Sequence, residues 1–205
     1  AWVHHYSYMR GIDGMVPGEK APDAGAGSDG SGKKSPSSNG AQQMEQPIGR
    51  SQLDYLRRLA ARIKQYDARL KAEGSNGIRA VGILGSDFYD KYLALQALRQ
   101  QLPEAVFFTT DLDARYLEPD NLTWTRNLLV ASHYNLQLRP ALQGEIPPFR
   151  DTYQTSLYFT TLRMFGEDPN GTTYEGYRNG HPPRVYEIGR GRAYPLSKKH
   201  TTRRV

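Results

Sequence analysis

The run Ile78-Arg-Ala-Val-Gly-Ile-Leu84 leads into the acidic turn Gly85-Ser-Asp-Phe-Tyr-Asp90, and a second run, Ala105-Val-Phe-Phe-Thr-Thr110, leads into Asp111-Leu-Asp113. Between them, apolar side chains recur every three or four residues until Pro103, which predicts an amphipathic helix. Two apolar strands joined by a helix form a βαβ unit, whose strands run parallel. Ligands of open α/β sheets bind beyond the carboxyl ends of such strands, so the acidic turns predict a shared polar edge that serves as the working surface.

The rest of the chain extends this unit. The patterns predict a helix from Ser51 to Gly74, a third strand from Asn127 to Ser132, a helix from about Phe149 to Phe165 and an edge-like strand from Arg184 to Ile188. The expected fold class is α/β: a single three-layer lobe with a mainly parallel, Rossmann-like sheet and helices on both faces.

A sheet covered on both faces has a consequence for stability. Leu84 and Val106 stand in the two strands that define the fold. The substitutions Leu84→Asp and Val106→Asp are therefore expected to unfold the domain, because an unpaired buried charge costs several kcal/mol.

Shifts in composition divide the chain into four parts. Residues 1–16 are rich in aromatic side chains, and residues 17–49 consist largely of Gly, Ser, Pro, Ala and charged residues. The second segment buries too little apolar area to offset the entropy of ordering and is predicted to be a disordered linker. Residues 50–196 carry the α/β lobe, and residues 197–205 form a basic tail.

The positive charge is concentrated at the end of the chain. The formal net charge is +6, and the stretch from Ile188 to Val205 contains six cationic residues and no acid. Nucleic acid is therefore not the expected partner, although a basic tail can serve an adaptor that binds nucleic acid or an anionic membrane. The absence of cysteine excludes a disulfide framework and a thiolate metal site. No stretch of the sequence is apolar and long enough to predict a transmembrane helix.

Each acidic turn has a binding interpretation and a structural one. Ser86 and Asp87 can hydrogen-bond a small polar ligand, or Ser86 can cap the helix while Asp87 favours its dipole. Asp111 and Asp113, together with Asp87, can hold Mg²⁺ in a phosphoryl-transfer site. Alternatively, Asp111-Leu-Asp113 is an acidic cap for the turn that begins at Ala114.

The histidines do not form a zinc pattern. His133 and Tyr134 follow the third strand and can line a cleft at the polar edge. The other four histidines lie in terminal or loop segments, without a spacing that suits a metal. No cofactor-binding motif is complete, so no cofactor is expected.

The order of these segments resembles a known family. The run Ile78 to Asp87, the helix after it and Ala105 to Asp111 resemble the start of the second lobe of type I periplasmic-binding-protein-like domains, the receptor ligand-binding fold of branched-chain amino acid transport receptors. The strand Asn127 to Ser132, the tyrosine-bearing helix opened by Phe149 to Ser156, and Arg184 to Gly189 are similar to the later part of that lobe.

Members of that family are two-lobed sensors or transport receptors that close on amino acids, sugars or related molecules. This chain holds about one lobe, so either a first lobe lies upstream or the lobe is reused as an interaction module. The resemblance favours a bacterial periplasm or cell envelope. It implies ligand contacts from Ser86, Asp87, Asp111, His133, Tyr134 and Tyr153.

The expected function is that of a non-catalytic small-molecule-sensing or protein-interaction lobe in a larger bacterial envelope or signalling protein. Two alternatives stay open at this point. One is a Mg²⁺-dependent phosphotransfer or nucleic-acid-processing enzyme that uses Asp87, Asp111 and Asp113. The other is the adaptor that works through its basic tail.

Overall fold

A five-stranded sheet forms the centre of the fold. The computed structural model describes residues 3–8, 51–166 and 183–196. The first three strands are parallel, and the last two are each antiparallel to the strand before them. The predicted α/β class and the parallel start of the sheet are therefore confirmed. In spatial order, which is also chain order, the strands are β1 (Ala80–Ile83), β2 (Val106–Thr110), β3 (Leu129–Ser132), β4 (Arg184–Ile188) and β5 (Ala193–Pro195).

The helices are α1 (Ser51–Ala72), α2 (Phe88–Gln101), α3 (Leu122–Thr125), α4 (Pro140–Gln143) and α5 (Thr152–Met164), with two 3-10 turns at Ala114–Leu117 and Pro119–Asn121. α2 is buried from Phe88 to Leu98 because it packs against both β1 and α1. A buried hydrogen bond of 2.6 Å from Gln52 of α1 to the Asp90 carboxylate joins the two helices. In the described ranges, none of the helices has the length and apolar character that crossing a bilayer requires.

The helices cover one face of the sheet because each new strand is added at the same edge of the sheet. β1, β2 and β3 are neighbours in chain order, and right-handed crossovers between them place both connections on the same side. α3 accordingly packs against α2. Exposure alternates along β2: Phe107 and Thr109 are both 1% exposed, whereas Val106 is 50% and Phe108 41% exposed.

The expected third layer is therefore not confirmed, since in the described part of the chain the second face of the sheet is open. In a doubly wound sheet the strand order reverses, so that later crossover helices cover the opposite face. In this sheet the order from β1 to β5 does not reverse. The prediction that Leu84→Asp and Val106→Asp unfold the domain therefore has no physical basis in this structure. Leu84 is 64% exposed and Val106 50% exposed, so a charge there would remain in water.

Residues 3–8 pack onto the lobe. The His4 ring meets Tyr66 of α1 edge-on at 4.6 Å between centroids, and the two side chains are hydrogen-bonded. Tyr8 packs against the core, and its hydroxyl lies so close to Gly85 that a Cβ there would be 2.5 Å away. The remainder of the aromatic segment 1–16, the linker 17–49 and the tail 197–205 lie outside the described residues.

Candidate functional site

Three carboxylates surround one lysine at the carboxyl ends of β1 and β2. Lys91 of α2 is 4% exposed, and its ammonium group donates a hydrogen bond of 2.9 Å to the carbonyl oxygen of Thr110. Burial lowers the pKa of Lys91, and nearby carboxylates act in the opposite direction. These carboxylates belong to Asp111, Asp113 and Asp87, in the turns that follow the parallel strands β1 and β2 at one edge of the sheet.

Asp113 is held by Arg115. Its carboxylate oxygens accept hydrogen bonds from Nε and Nη2 of Arg115 at 3.0 and 2.7 Å, and Oδ1 also accepts one from the Arg115 backbone N–H at 2.9 Å. The guanidinium lies over the rings of Phe88 and Tyr89, 4.4 and 5.2 Å from their centroids. Burial alone would lower the pKa of Arg115, but Asp113 outweighs it and the pKa is raised. Asp113 caps the 3-10 turn that begins at Ala114, which confirms the structural interpretation of this acid.

Asp87 also has a structural role. Its Oδ1 accepts hydrogen bonds from the backbone N–H groups of Tyr89 and Asp90 at 2.8 and 3.1 Å, so Asp87 is the N-cap of α2. The prediction that Ser86 caps this helix is wrong by one residue. Ser86 lies exposed in the turn before the cap.

Asp111 is the least engaged of the three acids. Its backbone has φ of 63°, a left-handed conformation that Asp adopts more readily than most side chains. Oδ2 accepts a hydrogen bond of 2.9 Å from the Thr110 hydroxyl, while Oδ1 has no hydrogen-bond partner among the described residues. Asp111 therefore retains acceptor capacity at the polar edge, where it is partly exposed.

The proposed magnesium ligands do not form a metal site. Across residues 3–8, 51–166 and 183–196, no three histidine or acidic side chains are grouped as a metal ion requires. Asp113 is occupied by Arg115 and Asp87 by the first turn of α2. The magnesium-dependent alternative built on Asp87, Asp111 and Asp113 therefore lacks its ligand set.

His133 and Tyr134 lie at the end of β3, at the same edge of the sheet. Their rings meet at 5.1 Å in a T-shaped arrangement, and the Tyr134 ring lies 6.1 Å from Phe159 of α5. The Ser132 hydroxyl donates a hydrogen bond of 2.8 Å to the Tyr134 carbonyl oxygen and fixes the turn. Tyr134 thus links the third strand to α5.

A concave surface lies beside α5. The groove adjoins the strand ends because the Thr152 N–H donates to the Leu112 carbonyl at 3.0 Å and Asp113 forms a β-bridge with Asp151. Of the six residues predicted to contact a ligand, Tyr153 lines this groove. The groove has a volume of about 480 Å³ and is lined by Arg150, Asp151, Tyr153, Gln154, Ser156, Leu157 and Thr160.

The groove is charged at one end and apolar along its side. Asp151 caps α5 by accepting from the Gln154 backbone N–H at 2.9 Å, and its other oxygen accepts from Arg150 Nε at 3.1 Å. The Arg150 side chain is 58% exposed. Tyr153 and Leu157, one helical turn apart, are 60% and 70% exposed. The arrangement suits a molecule that carries charge at one end and an apolar group at the other.

Four charged residues at this edge and in the groove were not predicted from the sequence as site residues: Lys91, Arg115, Arg150 and Asp151. A signal for Lys91 was present, because Lys91 and Arg99 are cations on the same helical stripe as Leu95, one turn before it and one turn after it. Arg150 and Asp151 gave no comparable signal. Their place in a groove depends on how the start of α5 docks on the strand ends.

No family model, no curated protein and no solved structure matches this chain. The resemblance to the second lobe of type I periplasmic-binding-protein-like domains therefore stays a hypothesis, based on the order of strands and turns.

Proposed function

We propose that this lobe is a non-catalytic binding module that holds a small amphipathic molecule in the groove beside α5. The groove itself carries the proposal. Its volume of about 480 Å³ lies within the range of typical ligand sites, roughly 300 to 1,000 Å³. It also adjoins the carboxyl edge of the parallel strands, where ligands of α/β sheets bind.

The lining favours a zwitterion with an apolar side chain. The exposed guanidinium of Arg150 can donate hydrogen bonds to a ligand carboxylate. Each oxygen of the neighbouring Asp151 already accepts one hydrogen bond and has a second lone pair, which can accept from a ligand ammonium group. Tyr153 and Leu157 offer exposed apolar area to the rest of the molecule. Apolar amino acids combine these groups, so they are the ligand class that we propose.

The state of the strand-end residues supports binding rather than catalysis. A catalytic acid or base must come within hydrogen-bonding distance of the proton that it moves. One carboxylate oxygen of Asp87 caps α2, both oxygens of Asp113 accept from Arg115, and Lys91 is buried beneath the edge. These groups stabilise the turns that hold α5 in place.

The same proposal places the lobe in a larger bacterial envelope or signalling protein that senses the ligand. The resemblance in segment order supports this, because two-lobed receptors close one lobe over a ligand held on the other. A groove that is open on one side fits a ligand that a second lobe or a partner protein would cover. The adaptor alternative depends on residues 197–205, which lie outside the described residues.

Isothermal titration of the 205-residue chain with L-leucine and L-phenylalanine tests the proposal. We expect dissociation constants on the order of 10 µM to 1 mM, because an open groove buries only part of a small ligand. Leu157→Asp should abolish binding by placing a charge against the apolar side chain.

Met164→Asp is the matched control. Met164 lies on the same helix, is 81% exposed and does not line the groove, so this variant should bind like the unmodified chain. The proposal fails if neither amino acid binds, or if both variants weaken binding equally. It also fails if Asp111→Asn abolishes binding while Leu157→Asp has no effect, since the ligand would then sit at the strand ends.

A further inference from the structure

The open face of the sheet is a continuous apolar surface. One row of Cα partners crosses all five strands: Gly82, Phe108, Leu129, Glu187 and Tyr194. Because Gly82 has no side chain, the end of the Phe108 ring reaches over β1, where a Cβ would be 2.5 Å from the ring. The exposed large apolar residues on this face are Leu84, Val106, Phe108, Val185, Tyr194 and Leu196.

The size of this surface sets it apart from scattered exposed side chains. Between 38% and 64% of each of those six residues is exposed. Together they present ~500 Å² of apolar area, at the upper end of what monomeric proteins leave in water. A patch of about this size is commonly the largest on a monomeric protein, and such patches are often functional.

The face also carries one acid and one base. Glu187 stands in the row between Leu129 and Tyr194. The Arg192 guanidinium lies over the Tyr194 ring, 5.1 Å from its centroid. A surface that is apolar and contains both charges is complementary to itself, because a twofold axis can bring Glu187 of one copy to Arg192 of the other.

The rest of the chain offers little to cover this face. Residues 17–49 contain Met44 and Ile48 as their only large apolar side chains, and residues 167–182 contain Tyr174 and Tyr177. A helix that covers a sheet needs an apolar residue every three or four positions. Neither segment provides one. Residues 9–16 do carry Met9, Ile12 and Met15 at this spacing, but a helix of eight residues is only about 12 Å long and is too short to cover five strands that lie about 4.8 Å apart.

We infer that two copies of this chain associate through their open sheet faces. The two sheets then pack at about 10 Å, as in a β-sandwich, with a helical layer on each outer side. Phe108 and Val185 are buried at the centre of the interface, and Glu187 pairs with the partner's Arg192. The groove beside α5 stays outside the interface, so dimer formation is independent of the proposed ligand.

Sedimentation velocity of the 205-residue chain between about 1 and 100 µM tests this inference. We expect a monomer–dimer equilibrium within that range. Phe108→Glu should leave a monomer at every concentration, because each copy would bury an unpaired carboxylate in the interface. Leu157→Glu places the same charge on an exposed apolar residue of α5, outside the sheet face, so it should leave the equilibrium unchanged while abolishing ligand binding.

A charge exchange removes the concern that a variant is merely misfolded. Glu187→Arg should weaken the dimer at least tenfold, and the double variant Glu187→Arg, Arg192→Glu should restore it. A chain that is monomeric at every concentration would overturn the inference. A dimer that survives Phe108→Glu in a variant with a cooperative thermal transition would also overturn it.

Discussion

Removing the Asp113 carboxylate should destabilise the lobe more than any other single change at the polar edge. The side chains of Asp113 and Arg115 are 9% and 16% exposed, and they share two hydrogen bonds of 3.0 and 2.7 Å. Asp113→Ala leaves the guanidinium almost buried against Phe88 and Tyr89 without its counter-charge. Removing one partner of a buried ion pair costs about 3–5 kcal/mol of the free energy of unfolding. This figure includes the loss of the N-cap hydrogen bond that Asp113 accepts.

Chemical denaturation with urea at neutral pH measures this cost directly. For a chain of this size, a loss of about 3–5 kcal/mol corresponds to a fall of about 10 °C in Tm. Asp120→Ala is the control, because it removes an exposed carboxylate from the adjacent 3-10 turn and should change stability by less than about 0.5 kcal/mol.

The double variant Asp113→Ala, Arg115→Met separates the ion pair from other effects. Replacing the guanidinium by an apolar side chain removes the unpaired charge, so the double variant should be more stable than Asp113→Ala alone. A loss below about 1 kcal/mol for Asp113→Ala would refute the reasoning. So would a rise in the stability of the unmodified chain on adding Mg²⁺, since Asp113 would then be a metal ligand.

Three further predictions follow from individual side chains. Val106→Lys on the open face should cost less than about 1 kcal/mol in urea denaturation, whereas Val130→Lys, at a position that is 0% exposed, should abolish the cooperative transition. Gly85→Ala should displace Tyr8 and increase hydrogen exchange in residues 3–8 with little loss of global stability; if those residues stay protected, the contact is not as described. Tyr116 is fully buried with no hydrogen-bond partner for its hydroxyl among the described residues, so Tyr116→Phe should be neutral or stabilising at pH 7. Burial, and then the charge of Asp113, raise the pKa of Tyr116 above 10.0, so ionisation of this hydroxyl favours the unfolded chain. It leaves the free energy of unfolding unchanged below pH 10 and lowers it as the pH rises further; Tyr116→Phe should flatten that alkaline decline.

The local elements could be predicted from the sequence because their signals are local. Val106 to Thr110 is a short apolar run before an acidic turn, and the apolar spacing up to Pro103 marks α2. The acidic turns follow β1 and β2 at the same edge of the sheet, because these two strands are parallel. The cap of the 3-10 turn at Ala114 was also predictable, because Asp113 precedes it directly.

The number of layers could not be predicted in the same way, because strand order is a tertiary property. Phe107 and Phe108 are adjacent and equally apolar, yet the first is 1% exposed and the second 41% exposed. A run that is apolar at every position fits a sheet covered on both faces and conceals the alternation that an open face normally shows. The groove was missed for a similar reason, since Tyr153 was predicted to contact a ligand but Arg150 and Asp151 were not.

The most direct measurement is a backbone-amide NMR titration of the isotope-labelled chain with L-leucine. We expect saturable chemical-shift changes within residues 150–160, the segment that supplies the groove lining, with smaller changes at the adjoining Leu112 and Asp113. Changes confined to residues 85–87 and 111, or no changes at millimolar ligand, would contradict the claim that the α5 groove is the binding site.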